Sequence, residues 1–248
     1  MAEEKSMKRA LLVKVTSPGF TAAVVMVFML STARLVSAQN AKTSYPSMAP
    51  VAQYMIASRD AEIALARSAA PESISGDAEV LVLGAHAYES AVKGTNGFVC
   101  MVLRSWTAGI DDPDFWNPKV RAPICFNAPA ARTYVPFVTK KTGLILAGRS
   151  KAEMFESIKA GLDRGELPTQ EIGAMCYMLS KDGYLGDPVQ HWHPHVMFFL
   201  PQVKAEAWGA GLAGSPILAG LDPEDRLTVF LIPVGKWSDG TPDAGAGH

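Results

Sequence analysis

The sequence predicts an α+β fold: a mostly antiparallel four- or five-stranded sheet with helices packed on one face. Three observations point there. Apolar runs of strand length stand at residues 80–92, 98–105, 171–180, 195–200 and 227–232. They fall in hairpin-like pairs with helical patterns between the pairs, so the regular strand–helix alternation of a parallel sheet is missing. The chain of 248 residues is 48% hydrophobic and 19% charged, apolar enough for a packed core and too weakly charged for disorder.

Residues 1–38 read as a signal peptide. Lys5, Lys8, Arg9 and Lys14 precede an apolar run at 20–30, and the small residues Val36-Ser37-Ala38 close it. Cleavage is expected between Ala38 and Gln39. A spanning helix needs about 20 apolar residues. This run is much shorter, and Pro18 and Gly19 prevent its extension, so no stable membrane anchor is expected after cleavage. The remaining chain then carries 18 Lys plus Arg against 22 Asp plus Glu, which excludes the basic footprint of a nucleic-acid binder. An exported protein, periplasmic or secreted, is the expectation.

Residues 39–49 are polar and turn-rich, a flexible lead-in. Pro50 suits a first helical turn, and the Ala-rich stretch to residue 69 predicts one helix, ended by Pro71. Residues 80–92 look extended, with one helical turn and a half over 86–92 as the competing reading. Asn96-Gly97 then predicts a hairpin turn to the strand at 98–105, because both residues tolerate positive φ. That strand is apolar on both faces, which places it centrally in a covered sheet. Residues 106–127 read as loop. Asn127 and Pro129 suggest a short helix cut by Pro136. Ser150 and Glu153 form a capping-box pattern that opens a helix with Phe155, Ile158 and Leu162 on one face. After the strands at 171–180 and 195–200 comes a short helix at 202–208, and Pro233 closes the last strand. Residues 50–237 thus read as a single α+β domain and 238–248 as a flexible tail.

Candidate chemistry concentrates at His191-Trp192-His193-Pro194-His195. Alternate residues of an extended chain share a side, about 6.6–7 Å apart, so His191, His193 and His195 can face one way and chelate Zn or another transition metal. His86 is the other internal histidine, and Asp187 or Glu89 can supply a carboxylate ligand. The other reading is a loop entering a strand, with histidine stacked on Trp192 and bonded to backbone. Residues 209–214 spell G-x-G-x-x-G, but no strand precedes them, which argues against a dinucleotide fold and for a loop after a helix. No nucleophile motif is present. Of the cysteines, Cys100 and Cys125 are the favoured disulfide, one on a strand and one in a loop; three reduced, buried cysteines is the alternative. Cys176 reads as a small core residue.

The segments Gly94-Thr95-Asn96-Gly97-Phe98-Val99-Cys100, Tyr177-Met178-Leu179-Ser180 and Trp192-His193-Pro194-His195-Val196-Met197 resemble segments of exported bacterial proteins of uncharacterised function. The resemblance spans most of residues 55–235. It implies a bacterial, extracytoplasmic setting, carries no catalytic residues, and adds weight to Trp192 and His195 as a structural or functional point. The combined expectation is a binding or accessory module for a small molecule or protein. The alternative is a metal-dependent enzyme, such as a hydrolase, built on the three histidines.

Overall fold

The computed structural model describes residues 45–186 and 192–244. The expected signal peptide, its Ala38–Gln39 cleavage point and His191 therefore lie outside the described residues. Eight strands are present: β1 (Glu79–Leu83), β2 (Tyr88–Val92), β3 (Val99–Leu103), β4 (Ala122–Phe126), β5 (Met175–Met178), β6 (His195–Pro201), β7 (Leu218–Asp222) and β8 (Leu227–Pro233). They make one sheet in the order β2-β1-β3-β4-β5-β6-β8-β7. All neighbours are antiparallel except β1 and β3. The fold is α+β and mostly antiparallel, as expected, but the sheet is larger than four or five strands.

Local causes account for two of the three strands beyond five. The run at 80–92 is two strands, turned at residues 84–87, where the Gly84 N–H donates to the Ala87 carbonyl at 2.8 Å. Asn96-Gly97 is then no hairpin turn, because β1 stands between β2 and β3. Its Asn96 side chain instead holds a crossing link, accepting from the Phe98 N–H and donating to the Ile74 carbonyl. Gly94 permits that crossing, since a Cβ there would strike the backbone of Ala78 and Glu79. β4 lies within the 106–127 stretch that reads as loop, and Pro123 stands inside it. The ladder to β5 begins only at Cys125, so the proline sits where β4 has a partner on its β3 side alone.

Helices cover both faces of the sheet, not one. α1 (Arg59–Arg67) packs on β1, β3 and β4 through Ala66 against Val80, Val82, Cys100, Val102 and Cys125. The alternate strand residues Met101, Leu103, Ile124 and Phe126 point to the opposite face. There they meet the layer of α3 (Ala128–Thr133), α4 (Val135–Leu146) and α5 (Lys151–Asp163). This two-sided covering is why β3 and β4 are apolar throughout. α2 (Glu72–Ser75) is a single turn after Pro71.

The helix expected over 50–69 breaks in two. A 3-10 turn at Val51–Tyr54 ends in extended backbone, and α1 restarts because the Ser58 side chain accepts the Ala61 N–H at 3.1 Å. Pro136 does not cut a helix but opens α4, where its missing N–H costs nothing. The capping box of Ser150 and Glu153 is formed at the start of α5.

α1 is fixed to the sheet by a buried ion pair. Glu62 Oε1 accepts from Arg104 Nη2 at 2.8 Å and from the Leu83 N–H at 3.0 Å, and Arg104 Nε donates to the Tyr54 carbonyl. On the same face a disulfide joins Cys100 and Cys125, directly opposed residues of β3 and β4, so Cys125 lies on a strand and not in a loop. Cys176 is a free, buried thiol whose pKa burial pushes up. The described residues fall in one compact unit. The expected lead-in is partly docked, with Met48 and Ala49 against the core. The expected free tail is tied down at its start: the Ser238 N–H donates to the Leu179 carbonyl, and Lys181 pairs with Asp239. No helix among the described residues is long and apolar enough to cross a membrane.

Candidate functional site

The histidine run occupies the entry to β6. His195 is its first residue and is 5% exposed. Its ring meets Trp192 edge-on at 5.9 Å, and its Nδ1 lies 2.7 Å from the His193 carbonyl. Burial lowers its pKa, which keeps the ring neutral at neutral pH. His193 is exposed, with Nδ1 2.6 Å from Asp243 Oδ2. Among the described residues no three His, Cys, Asp or Glu side chains converge as a metal set. His86 is in the exposed β1–β2 turn and Glu89 is on β2. From β1 to β6 is four strand spacings, about 19 Å at 4.8 Å each, so neither joins His193 and His195. The G-x-G-x-x-G segment is loop after a 3-10 turn at Ala205–Trp208, as expected.

A second cluster was not legible in the sequence. α4 has few polar residues facing inward, yet Lys141 on it is 2% exposed. Its Nζ lies 2.6 Å from Asp225 Oδ2 and 5.2 Å from the centre of the Phe155 ring. Asp225 belongs to the β7–β8 turn, where its N–H donates to Asp222 Oδ1 at 3.0 Å. The next residue, Arg226, holds φ at 56°, the left-handed region that suits glycine or asparagine better. Its guanidinium turns outward to pair with Asp163 at the end of α5.

Asp225 is 2% exposed, and its second oxygen, Oδ1, has no protein partner. Burial pushes its pKa from an ordinary 3.8 up to about 6; Lys141 opposes the rise, while Asp222 and Glu224 add to it. Burial and the carboxylates of Asp225 and Asp222 also raise the Tyr134 hydroxyl.

Asp225 lines a cavity of about 310 Å³ between α4, the end of α5, the 167–170 segment and the start of β8. Phe137, Leu162, Leu167 and Leu227 make its apolar wall, and Gln170 its polar side. Gln170 is fixed by Thr133, donating to its carbonyl at 2.8 Å. Thr169 and Gln202 stand exposed at the rim. A second cavity of about 290 Å³ lies beyond Arg226, between Phe155, Lys159, Pro223 and Glu224, so Arg226 is a wall common to both. This arrangement has an apolar body, one enclosed ion pair and one unsatisfied acceptor. It can hold a small molecule that offers a hydrogen-bond donor.

The fold and cavity define a class: an α+β protein with a mixed eight-stranded sheet, a cross-strand disulfide and a small-molecule-sized cavity. No family model, curated protein or solved structure matches the chain.

Proposed function

We propose that the chain is an exported bacterial binding module that holds a small molecule in the Asp225 cavity. One observation carries the binding half: Asp225, which lines a 310 Å³ cavity, has a carboxylate oxygen that is enclosed behind the wall and has no protein partner. Buried acceptors are nearly always satisfied, and strongly perturbed carboxyls in clefts concentrate at functional sites. Export is supported by the signal-type N-terminus and by the paired Cys100 and Cys125, a bond favoured in oxidising compartments. Titrating 15N-labelled protein with a mixed set of neutral, cationic and anionic fragments should move the amide resonances of Thr169, Gln170, Gln202 and Leu227 first. Shifts scattered over the surface, with these four unmoved, overturn the binding reading.

A second reading is a metal-dependent enzyme, with Zn or another transition metal on His191, His193 and His195. It is favoured by the hydrogen bonds at Nδ1 of His193 and His195, to a carboxylate and to a backbone carbonyl. Such partners orient Nε2 for ligation in known metal sites. Elemental analysis decides it: one equivalent of Zn, Cu or Fe, lost in His193→Ala, supports the reading, and metal-free wild-type protein purified without chelator ends it.

A further inference from the structure

Resting on the binding reading above, we propose that the Asp225 cavity takes a small organic ammonium ion, a hydrocarbon body bearing one primary amine, and that Arg226 is the side chain that yields to admit it. Charge argues for the ammonium. Asp222, Glu224 and Asp225 crowd one turn, and Lys141 is the cation that meets Asp225 inside. Arg226 is already matched by Asp163. Glu224 and Glu156 line the second cavity with Lys159, so over the two cavities these carboxylates and Asp225 outnumber Lys141 and Lys159, and Oδ1 of Asp225 lacks a donor. An ammonium group supplies three donors and a positive charge. Phe137, Leu162, Leu167 and Leu227 supply the dry wall for the hydrocarbon.

Access argues for Arg226. Asp225 Oδ1 has almost no surface open to water, so a ligand reaches it only when part of the wall moves. Arg226 is the wall shared by the two cavities. Its ion pair with Asp163 is half-exposed, a class that contributes little to stability. Its left-handed backbone is strained for a residue with a side chain. Withdrawing that side chain would join the cavities over the Lys141–Asp225 pair.

Calorimetric titration of the purified protein with benzylamine and with benzyl alcohol, its uncharged analogue, at matched ionic strength tests both halves. Benzylamine should bind at least tenfold more tightly than the alcohol. Thr169→Trp, which fills the rim from an exposed position, should weaken amine binding at least tenfold; Gln202→Trp replaces it if that variant melts early. Arg226→Gly, which suits the left-handed backbone and removes the shared wall, should tighten amine binding several-fold. Equal binding of amine and alcohol, both lost in Thr169→Trp, overturns the ammonium inference and leaves the binding reading standing. Amine binding that ignores both rim variants, or no amine binding to wild type or Arg226→Gly, overturns the inference; the fragment titration then decides the binding reading independently. An unchanged affinity in Arg226→Gly overturns the role of Arg226.

Discussion

At Asp225, burial and two neighbouring carboxylates oppose a single buried ammonium, and the carboxyl ends with its pKa raised to about 6. The folded state holds this proton more tightly than the unfolded state, so the contribution to stability is fully present below about pH 4 and is lost as pH rises through 6. At about 1.4 kcal/mol per pH unit the loss amounts to about 3 kcal/mol. Urea unfolding at several pH values should therefore show wild type losing about that much relative to Asp225→Asn between pH 4 and pH 7. A difference that stays flat contradicts the raised pKa. Nothing in the sequence pointed to this residue. Lys141 sits in an apolar helical stretch and Asp225 in an ordinary acidic turn, and 84 positions separate them. The histidine run was legible because its residues are adjacent, and the structure shows how His193 and His195 are individually bonded. Local spacing reveals ligands that are neighbours in the chain; it cannot reveal a pair that only folding brings together.

Among the elements, some local signals fixed their element, whereas Asn96-Gly97 and Pro136 serve a crossing link and a helix start instead of the hairpin and helix break they suggest. The capping box fixed α5, Pro233 closed β8, and the two-sided apolar pattern placed β3 in the sheet interior. Elements decided by tertiary partners were missed. β4 carries a proline that only a one-sided neighbour makes acceptable, and β7 is exposed along nearly its whole length, so it shows no buried face to detect. The split of the first helix turns on Ser58, which caps α1 and lets Glu62 reach Arg104 across to the sheet. Removing one partner of such a buried pair leaves the other charge stranded. Glu62→Ala should lower the free energy of unfolding by about 3–5 kcal/mol in urea titration. A loss below about 1 kcal/mol would mean that α1 is held by apolar packing alone. Ser150→Ala, by contrast, removes a cap from an exposed helix start and should cost about 1 kcal/mol.

For the whole molecule, the Cys100–Cys125 bond ties the two strands that both helical layers share. Replacing both cysteines by serine should lower stability by about 3 kcal/mol, from the loop-closure entropy of 25 residues. Unchanged unfolding midpoints, with and without reductant, would show that the bond does not form. Export has its own check: mass spectrometry of the secreted or periplasmic protein should begin at Gln39, and a mature chain retaining Met1 contradicts it. On the proposed function the Lys141–Asp225 pair is kept for a ligand and not as a strut. Thermal unfolding of the ligand-free double variant Lys141→Met with Asp225→Leu tests it most directly, because apolar residues of similar volume remove the desolvated charges together. The expected midpoint is equal to or above that of wild type. A midpoint lowered by more than about 5 °C would show that the pair supports the fold itself.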